Sequence, residues 1–288
     1  MKVAYQGAPG AYSEIAAVNL FPDEQLVAQR TFDDVFASLQ HGAVRAAVVP
    51  VENTHAGAVV DVYDLLRAHA DARVVAEAVV RVSHCLLALP GTRFDQIRRA
   101  RSHPQALAQV DAFLRGHRIE PEIAYDTAGA AHEVSLGDDR SVAAVASRRA
   151  AQHYGLDILA DAIETNAENY TRFFALGRSD DPDATDWVHP AVMGGRLKTS
   201  LVYATKNMPG ALIRSLQPFA VANIQLTKIE SRPSRSTAWE YVFYLDFEGD
   251  PADPRVAEVL EVMHRSCEWV HLIGTYRAAS GVFAETAA

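Results

Sequence analysis

The chain is 288 residues long, 49% hydrophobic, with a formal charge of -9. That length allows two domains with substantial cores, and the acidic balance argues against a nucleic-acid surface, which needs clustered cations to displace phosphate counterions. No apolar run is long enough for a bilayer, no secretory-type apolar region follows Met1-Lys2, and Cys85 and Cys267 sit far apart in apolar runs, as buried thiols do in a reducing compartment; the expectation is a cytoplasmic protein with no membrane or nucleic-acid partner.

Lys2 to Gln6 reads as a buried strand, broken by Gly7-Ala8-Pro9-Gly10 and followed by a helix from Ser13 to Leu20. Thr31, with an acid three residues on at Asp34, has the form of a helix N-cap, and Gly42 ends that helix. Ala46 to Val49 is a short apolar strand, the loop Glu52-Asn53-Thr54-His55-Ala56-Gly57 follows, and Val60 to Ala68 suits a helix. The β-rich run Val74 to Leu89 is long for one strand and is expected to bend or to cross between lobes, with a turn at Pro90-Gly91.

The alternation then recurs. Arg99 to Arg101 enters the loop Ser102-His103-Pro104-Gln105, where Pro104 fits the first helical position, Ser102 or His103 the cap, and Gly116 the helix end. Ile119 to Tyr125 and Val142 to Ala146 read as strands, Thr127 to Leu136 and Ser147 to Tyr154 as helices, the second stopped by Gly155. Strands alternating with helices imply one parallel sheet or two. Asn169-Tyr170-Thr171-Arg172-Phe173-Phe174 then sets a hydroxyl beside a permanent cation among aromatic residues. In a strand Thr171 and Arg172 face opposite sides, so they need not meet the same ligand; their donors and lone pairs suit a molecule with carboxylate and hydroxyl groups. Ser179 to His189 reads as a linker. Beyond it, strands at Thr199 to Ala204, Ile224 to Ser231, Trp239 to Phe247 and Val270 to Tyr276, with helices at Gly210 to Gln217 and Arg255 to Cys267, give the ferredoxin-like order βαββαβ. Gly281 to Ala288 reads as a fraying tail.

In open α/β sheets ligands bind beyond the carboxyl ends of the strands. Here those ends carry Gly7 to Ser13, Glu52 to Gly57, Ser102 to Gln105, Asp126 to Gly129 and Asn169 to Arg172. Hydroxyls, amides and helix N-termini dominate, and these donate to anions without many cations. Plain structural roles compete: the Gly7 loop is also an ordinary turn without the G-x-G-x-x-G spacing, and Asn53, Thr54 and Thr127 all suit helix caps. His55 and His103 are candidates for proton transfer. The histidines lack metal-ligand spacing and no Cys-x-x-Cys occurs, so no metal is expected; no Gly-x-Ser-x-Gly elbow favours a hydrolase.

Taken in order, Gly7-Ala8-Pro9-Gly10-Ala11-Tyr12-Ser13-Glu14, Pro50-Val51-Glu52-Asn53-Thr54, Ser102-His103-Pro104-Gln105-Ala106-Leu107, Asp126-Thr127-Ala128-Gly129-Ala130-Ala131 and Asn169-Tyr170-Thr171-Arg172-Phe173 resemble the monofunctional prephenate dehydratase family. Pro209-Gly210-Ala211-Leu212 and Glu230-Ser231-Arg232-Pro233 resemble that family's regulatory ACT domain. Thr54 departs from the family's usual Ser but keeps the hydroxyl. The resemblance implies an α/β fold with a periplasmic-binding-protein-like catalytic domain of two lobes over residues 1–180, the second lobe roughly at 78–160 and the substrate in the cleft. It further implies a linker at 181–197, a ferredoxin-like ACT domain (α+β) at 198–278 and a tail at 279–288. The implied activity converts prephenate to phenylpyruvate with loss of water and carbon dioxide, uses no cofactor, is feedback-regulated by L-phenylalanine, and belongs to a homodimer or homotetramer.

Within that frame Thr171 is the expected donor to the departing hydroxyl, orienting or relaying a proton because its hydroxyl is a poor acid; Glu52 and His103 rank below it as proton sources. Ser13, Asn53, Thr54, Ser102, Gln105, Thr127, Asn169 and Arg172 are expected to bind substrate, with Arg172 alternatively bracing the cleft from the strand's other face. Free N–H groups at the helix start near Pro209 and Gly210 would hold an effector carboxylate, with Asn207, Ala211, Leu212, Asn223, Glu230, Ser231 and Arg232 around it. Two other readings stand beside this one: an arogenate dehydratase, making the same elimination on the amino-acid analogue, and a bilobed small-molecule binding protein.

Overall fold

A computed structural model describes residues 1–234 and 241–283. The chain opens with β1 (Lys2–Gln6), α1 (Tyr12–Leu20), β2 (Gln25–Gln29), α2 (Phe32–Gln40), β3 (Ala46–Asn53), β4 (Gly57–Ala58), α3 (Val60–Ala68) and β5 (Ala72–Arg81). The centres of β1 (Val3-Ala4-Tyr5) and β3 (Ala46 to Val49) are continuous buried runs, the pattern of parallel strands covered by helices on both faces. Thr31 caps α2 reciprocally: its hydroxyl accepts the Asp34 N–H, and the Asp34 carboxylate accepts from the Thr31 N–H.

The β-rich run breaks at Val82-Ser83-His84. Before the break it belongs to one sheet; after it, β6 (Cys85–Ala88) begins another, which is the expected crossing. That second sheet continues through β7 (Arg99–Ser102), α4 (Pro104–Gln109), α5 (Asp111–His117), β8 (Glu120–Ile123), α6 (Thr127–Leu136), β9 (Val142–Ala146), α7 (Arg148–Tyr154) and β10 (Asp157–Ala160), in the order β10-β6-β9-β7-β8. β11 (Tyr170–Arg178) returns the chain to the first sheet between β3 and β5, antiparallel to both. Both sheets are therefore mixed rather than wholly parallel. β1 runs parallel with β2 and β3, and β7 with β8 and β9, while the strands entered by crossing, β6 and β11, run against their neighbours.

Three local expectations change. Gly116 lies inside α5, and the helix ends instead at Arg118, which takes a left-handed φ of 58°. Asp126, not Thr127, caps α6, its carboxylate accepting the Gly129 N–H. β2 and β10 were not anticipated; each is a short sheet edge.

The remainder forms β12 (Leu197–Thr205), α8 (Ala211–Val221), β13 (Leu226–Pro233), β14 (Tyr241–Glu248), α9 (Pro254–Ser266) and β15 (Cys267–Arg277), an antiparallel sheet ordered β13-β14-β12-β15. Trp239, the expected start of one strand, lies outside the described residues. Strand alternation divides the side chains: Leu201, Tyr203, Phe243, Leu245 and Phe247 bury against the helices, while Val202, Val242, Tyr244, Ile273 and Tyr276 share a core with Val74, Phe174 and Leu176 of the first sheet. The Tyr244 hydroxyl donates to the Tyr63 carbonyl at 2.8 Å. The approach is close enough that a Cβ on Gly274 would sit 2.3 Å from the Val74 carbonyl oxygen.

The expected linker is built into the fold. Ala184, Val188 and Val192 are buried with α1 and the first sheet, and the Arg45 guanidinium lies 3.8 Å over the Trp187 ring. Part of the expected tail is also paired: β16 (Val282–Phe283) runs parallel to Val79-Val80 of β5. The first sheet thus reads β16-β5-β11-β3-β1-β2, with β4 on β3; residues 284–288 lie outside the described set.

Candidate active site

A cavity of about 440 Å³ opens between the first and second sheets. One wall is the β1–α1 turn with Gly7, Tyr12 and Ser13, together with Pro50 and Asn53 of β3, the crossing residues Val82 and His84, and Thr171 and Phe173 of β11. The other is α4, with His103 and Gln105 at its start and Gln109 at its end, and the entry to α6 with Tyr125, Asp126 and Thr127. Among the described residues neither Lys nor Arg lines it. Helix starts and neutral side chains supply the donors, an arrangement that suits anions through partial positive charge.

A β-bulge shapes the floor. Thr171 pairs with Asn53, but Phe173 pairs with Pro50, so the register slips between Arg172 and Phe173. Proline has no N–H for the ladder and is tolerated in strands at such irregularities. The slip brings Asn53 and Pro50, an odd number of residues apart, to the same wall as Thr171 and Phe173.

Thr171 is 9% exposed. Its Oγ1 accepts from Asn53 Nδ2 at 2.9 Å, which leaves the hydroxyl proton to be donated. Asn53 is held by its Oδ1, which accepts the backbone N–H groups of His55 and Ala56, each at 3.0 Å, while its Nδ2 also meets Asn169 Oδ1 at 2.9 Å. Asn169 in turn donates to Gln109 Oε1 at 3.0 Å, and the same oxygen meets His84 Nε2 at 2.8 Å. Gln109 carries an acceptor there, so the imidazole Nε2 carries the proton. Burial holds the His84 pKa below the ordinary imidazole value, with Gln109 and Glu164 pulling the other way, and the ring is neutral at neutral pH. Tyr12, whose hydroxyl donates to the Ser83 carbonyl, lies 3.3 Å from His84 Nδ1. Thr171 therefore ends a chain of buried amides that crosses from the first sheet to α4.

A family model for prephenate dehydratase matches residues 3–181. The chain belongs to the prephenate dehydratase family. It is 40% identical over 296 residues to arogenate dehydratase 5, chloroplastic, of Arabidopsis thaliana, covering 96% of this chain and 67% of that one. Among solved structures, the prephenate dehydratase of Arthrobacter aurescens in complex with L-Phe aligns with a TM-score of 0.86 at 27% identity, over 96% of this chain and 90% of that one. A protein described as GqqA, a novel type of quorum quenching acylase, aligns with a TM-score of 0.87 at 33% identity, over 97% and 99%. Prephenate dehydratases are hydro-lyases, and the matched residues contain both cavity walls.

Of the residues expected at a prephenate dehydratase site, Ser13, Asn53, His103, Gln105, Thr127 and Thr171 line the cavity. His103 also caps α4, its Nδ1 accepting the Gln105 N–H at 3.3 Å. Asn169, fully buried, stands behind the wall as Asn53's partner. Thr54 holds the loop before β11, accepting the Tyr170 N–H at 3.0 Å and donating to the Glu168 carbonyl at 3.2 Å. Ser102 is buried and donates to the Val145 carbonyl at 2.6 Å, tying β7 to β9. Glu52 and Arg172 do not line the cavity. Strand alternation turns Arg172 to the opposite face, where Nε meets Glu77 Oε2 at 2.8 Å and Nη2 meets Asp246, and Glu52 Oε1 lies 2.9 Å from Lys228 Nζ. Arg172 thus takes the placement of the bracing reading, and Glu52, paired with it across β3 and β11, lies with it outside the cavity lining. Tyr12, His84 and Gln109 were not among the expected site residues; Tyr12 lies in the segment Gly7 to Glu14 that carries the resemblance, and His84 at the break of a long apolar run.

A second cavity, about 380 Å³, lies at the turn before α8 and is lined by Asn207, Gly210, Ala211, Leu212, Tyr241 and Phe243 among others. Gly210 caps that helix with a left-handed φ of 77°. Pro209 sits in the turn without lining the cavity. Asn223, at the far end of α8, and Glu230, Ser231 and Arg232 on β13 are not part of its wall. Among the described residues no helix is long and apolar enough to cross a membrane, and no cluster of three metal-ligating side chains occurs.

Proposed function

We propose that the chain converts prephenate to phenylpyruvate, with arogenate as the alternative substrate that its plant relatives' names suggest. The observation that carries this is the Thr171 hydroxyl, fixed as an acceptor from Asn53 and free to donate into a cavity of neutral donors. The ring carbon–carboxylate bond breaks, its electron pair enters the ring, and the ring hydroxyl leaves as the ring becomes aromatic. Carbon dioxide departs, and the hydroxide takes up a proton to become water. The change is redox-neutral and needs no cofactor. Thr171 donates to the leaving oxygen as negative charge grows there, where a positioned donor has its largest effect. Ser13, Gln105, Thr127 and the N–H groups opening α1 suit the carboxylates. Phe32, Pro50, Val59, Val82 and Phe173 form an apolar lining, which favours a carboxylate that must shed water before it leaves as a neutral gas.

In this reading the first two sheets are the two lobes of residues 1–180 and the third, with α8 and α9, is an ACT domain over 198–278. L-Phenylalanine would occupy the second cavity with its carboxylate at the start of α8, within a homodimer or homotetramer. Support comes from the Arthrobacter relative, whose structure is an L-Phe complex. The buried cysteines Cys85 and Cys267 suit a reducing, cytoplasmic setting. The test is incubation of the purified protein with prephenate and, in parallel, with arogenate, following phenylpyruvate absorbance and phenylalanine release. Product from either identifies the substrate; binding of both without product would leave only a bilobed binding protein.

A further inference from the structure

We infer that Arg172 is a positioning residue for Thr171, through which the third sheet sets the placement of the reacting hydroxyl. The inference rests on the reading of Thr171 given above. The two residues are neighbours on β11 and face opposite ways, one into the cavity and one into the seam between the first and third sheets.

That seam is charged where a core would ordinarily be apolar. Arg172 is 13% exposed at its side chain, Glu77 4% and Asp246 5%. Arg172 reaches Glu77 within its own sheet, and Asp246 and the Tyr276 hydroxyl, at 3.2 Å, in the third. Ser200 locks the far side, donating to Asp246 at 2.6 Å and lying 2.7 Å from the Tyr276 oxygen. Lys198 Nζ meets both Glu77 oxygens, at 2.9 and 3.0 Å. Lys228 meets Glu52, whose other oxygen lies 3.6 Å from Arg172. Three carboxylates thus face three cations, and every strand of the third sheet contributes a polar group to the β3, β11 and β5 face.

Such a cluster adds little stability over apolar packing of the same shape, but it tolerates only one geometry, because a displaced partner leaves a charge buried and uncompensated. Its centre is one residue from Thr171 and beside the bulge that fixes which side chains face the cavity. A tilt of the third sheet must either carry β11 with it or break these pairs. A ligand that favours a tilt in which the pairs hold and β11 is carried along therefore changes the Thr171–Asn53 geometry without touching substrate.

Two full-length variants test this. Asp246→Asn keeps the side-chain shape but removes the charge facing Arg172; Tyr276→Phe removes the hydroxyl contacts to Arg172 and Ser200 and changes no charge, so it decides the matter should the first fail to fold. For each, kcat and KM on the turned-over substrate, Tm, and calorimetric and kinetic titrations with L-phenylalanine are measured. The expected result is a kcat lowered on the order of tenfold in Asp246→Asn and less in Tyr276→Phe, with KM within about twofold, and phenylalanine still bound but with a diminished effect on kcat. Wild-type kcat with a wild-type phenylalanine response overturns the inference, as does a loss carried wholly by KM. Thr171→Ala, run alongside, separates the failures: if it retains turnover, the reading of the site falls and this inference with it, whereas an inactive Thr171→Ala beside wild-type-like seam variants overturns the inference alone.

Discussion

Thr171 and His84 mark the two ends of one buried polar chain, and each is open to a direct test. Thr171→Ala is expected to lower kcat by about 10²–10³ with KM little changed, the loss typical of a donor used at the transition state; Thr171→Ser should restore much of the rate, and steady-state kinetics on the two variants checks both. His84 is held neutral by burial, so its folded pKa lies below its unfolded value. The unfolded chain then binds the extra proton more readily, and the stability contributed by neutral His84 is complete above about pH 6.5 and is lost as pH falls toward the folded pKa. A Tm profile from pH 8 to 5 should fall on the acid side in the wild type and less steeply in His84→Gln. At this scale the sequence showed which hydroxyls and amides matter but not all of their facing. Six expected residues line the cavity, since strand ends and helix starts are readable from turn chemistry. Arg172 takes the strand's other face, one of its two expected placements, and Glu52, its neighbour across β3 and β11, turns away from the cavity with it; Thr54, Ser102 and Asn169 also stand outside the lining, held by their own partners. Gln109 carried no local signal, since its contacts with His84 and Asn169 join residues far apart in the chain.

Among the elements, β15 packs closely against β5 at Gly274. A methyl group on Gly274 would meet the Val74 carbonyl oxygen at 2.3 Å, and backbone cannot rotate away as a side-chain end would. Gly274→Ala is expected to cost about 1–3 kcal/mol, read by urea denaturation, and to lower turnover by loosening the seam at Arg172. Elements with strong signals were legible: the Thr31 and Asp34 pair for α2, the length of the run that splits into β5 and β6, and the βαββαβ order of the last sheet. β2 and β10 escaped because short edge strands have little periodicity of their own, and the buried Ala184 and Val188 escaped because Asp and Pro around them imitate a linker.

For the whole molecule, the third sheet is continuous in packing with the first, sharing a core through Phe174, Tyr244 and Tyr276. A ligand held by the turn at Gly210 should therefore stabilise more than the last third of the chain. L-Phenylalanine at about a hundred times its Kd is expected to add about 2.7 kcal/mol, raising Tm in a single cooperative transition; a scan in which only a minor early transition moved would contradict the shared core.

Val282 and Phe283, pairing with Val79 and Val80, also bear on how the protein is made. A ribosome releases β5 some two hundred residues before the segment that pairs with Val79 and Val80, so throughout most of synthesis that stretch of the edge lacks its partner strand. Chaperone dependence during expression, and sticky products from a gene stopped just short of codon 282, are what such a late-closing seam entails.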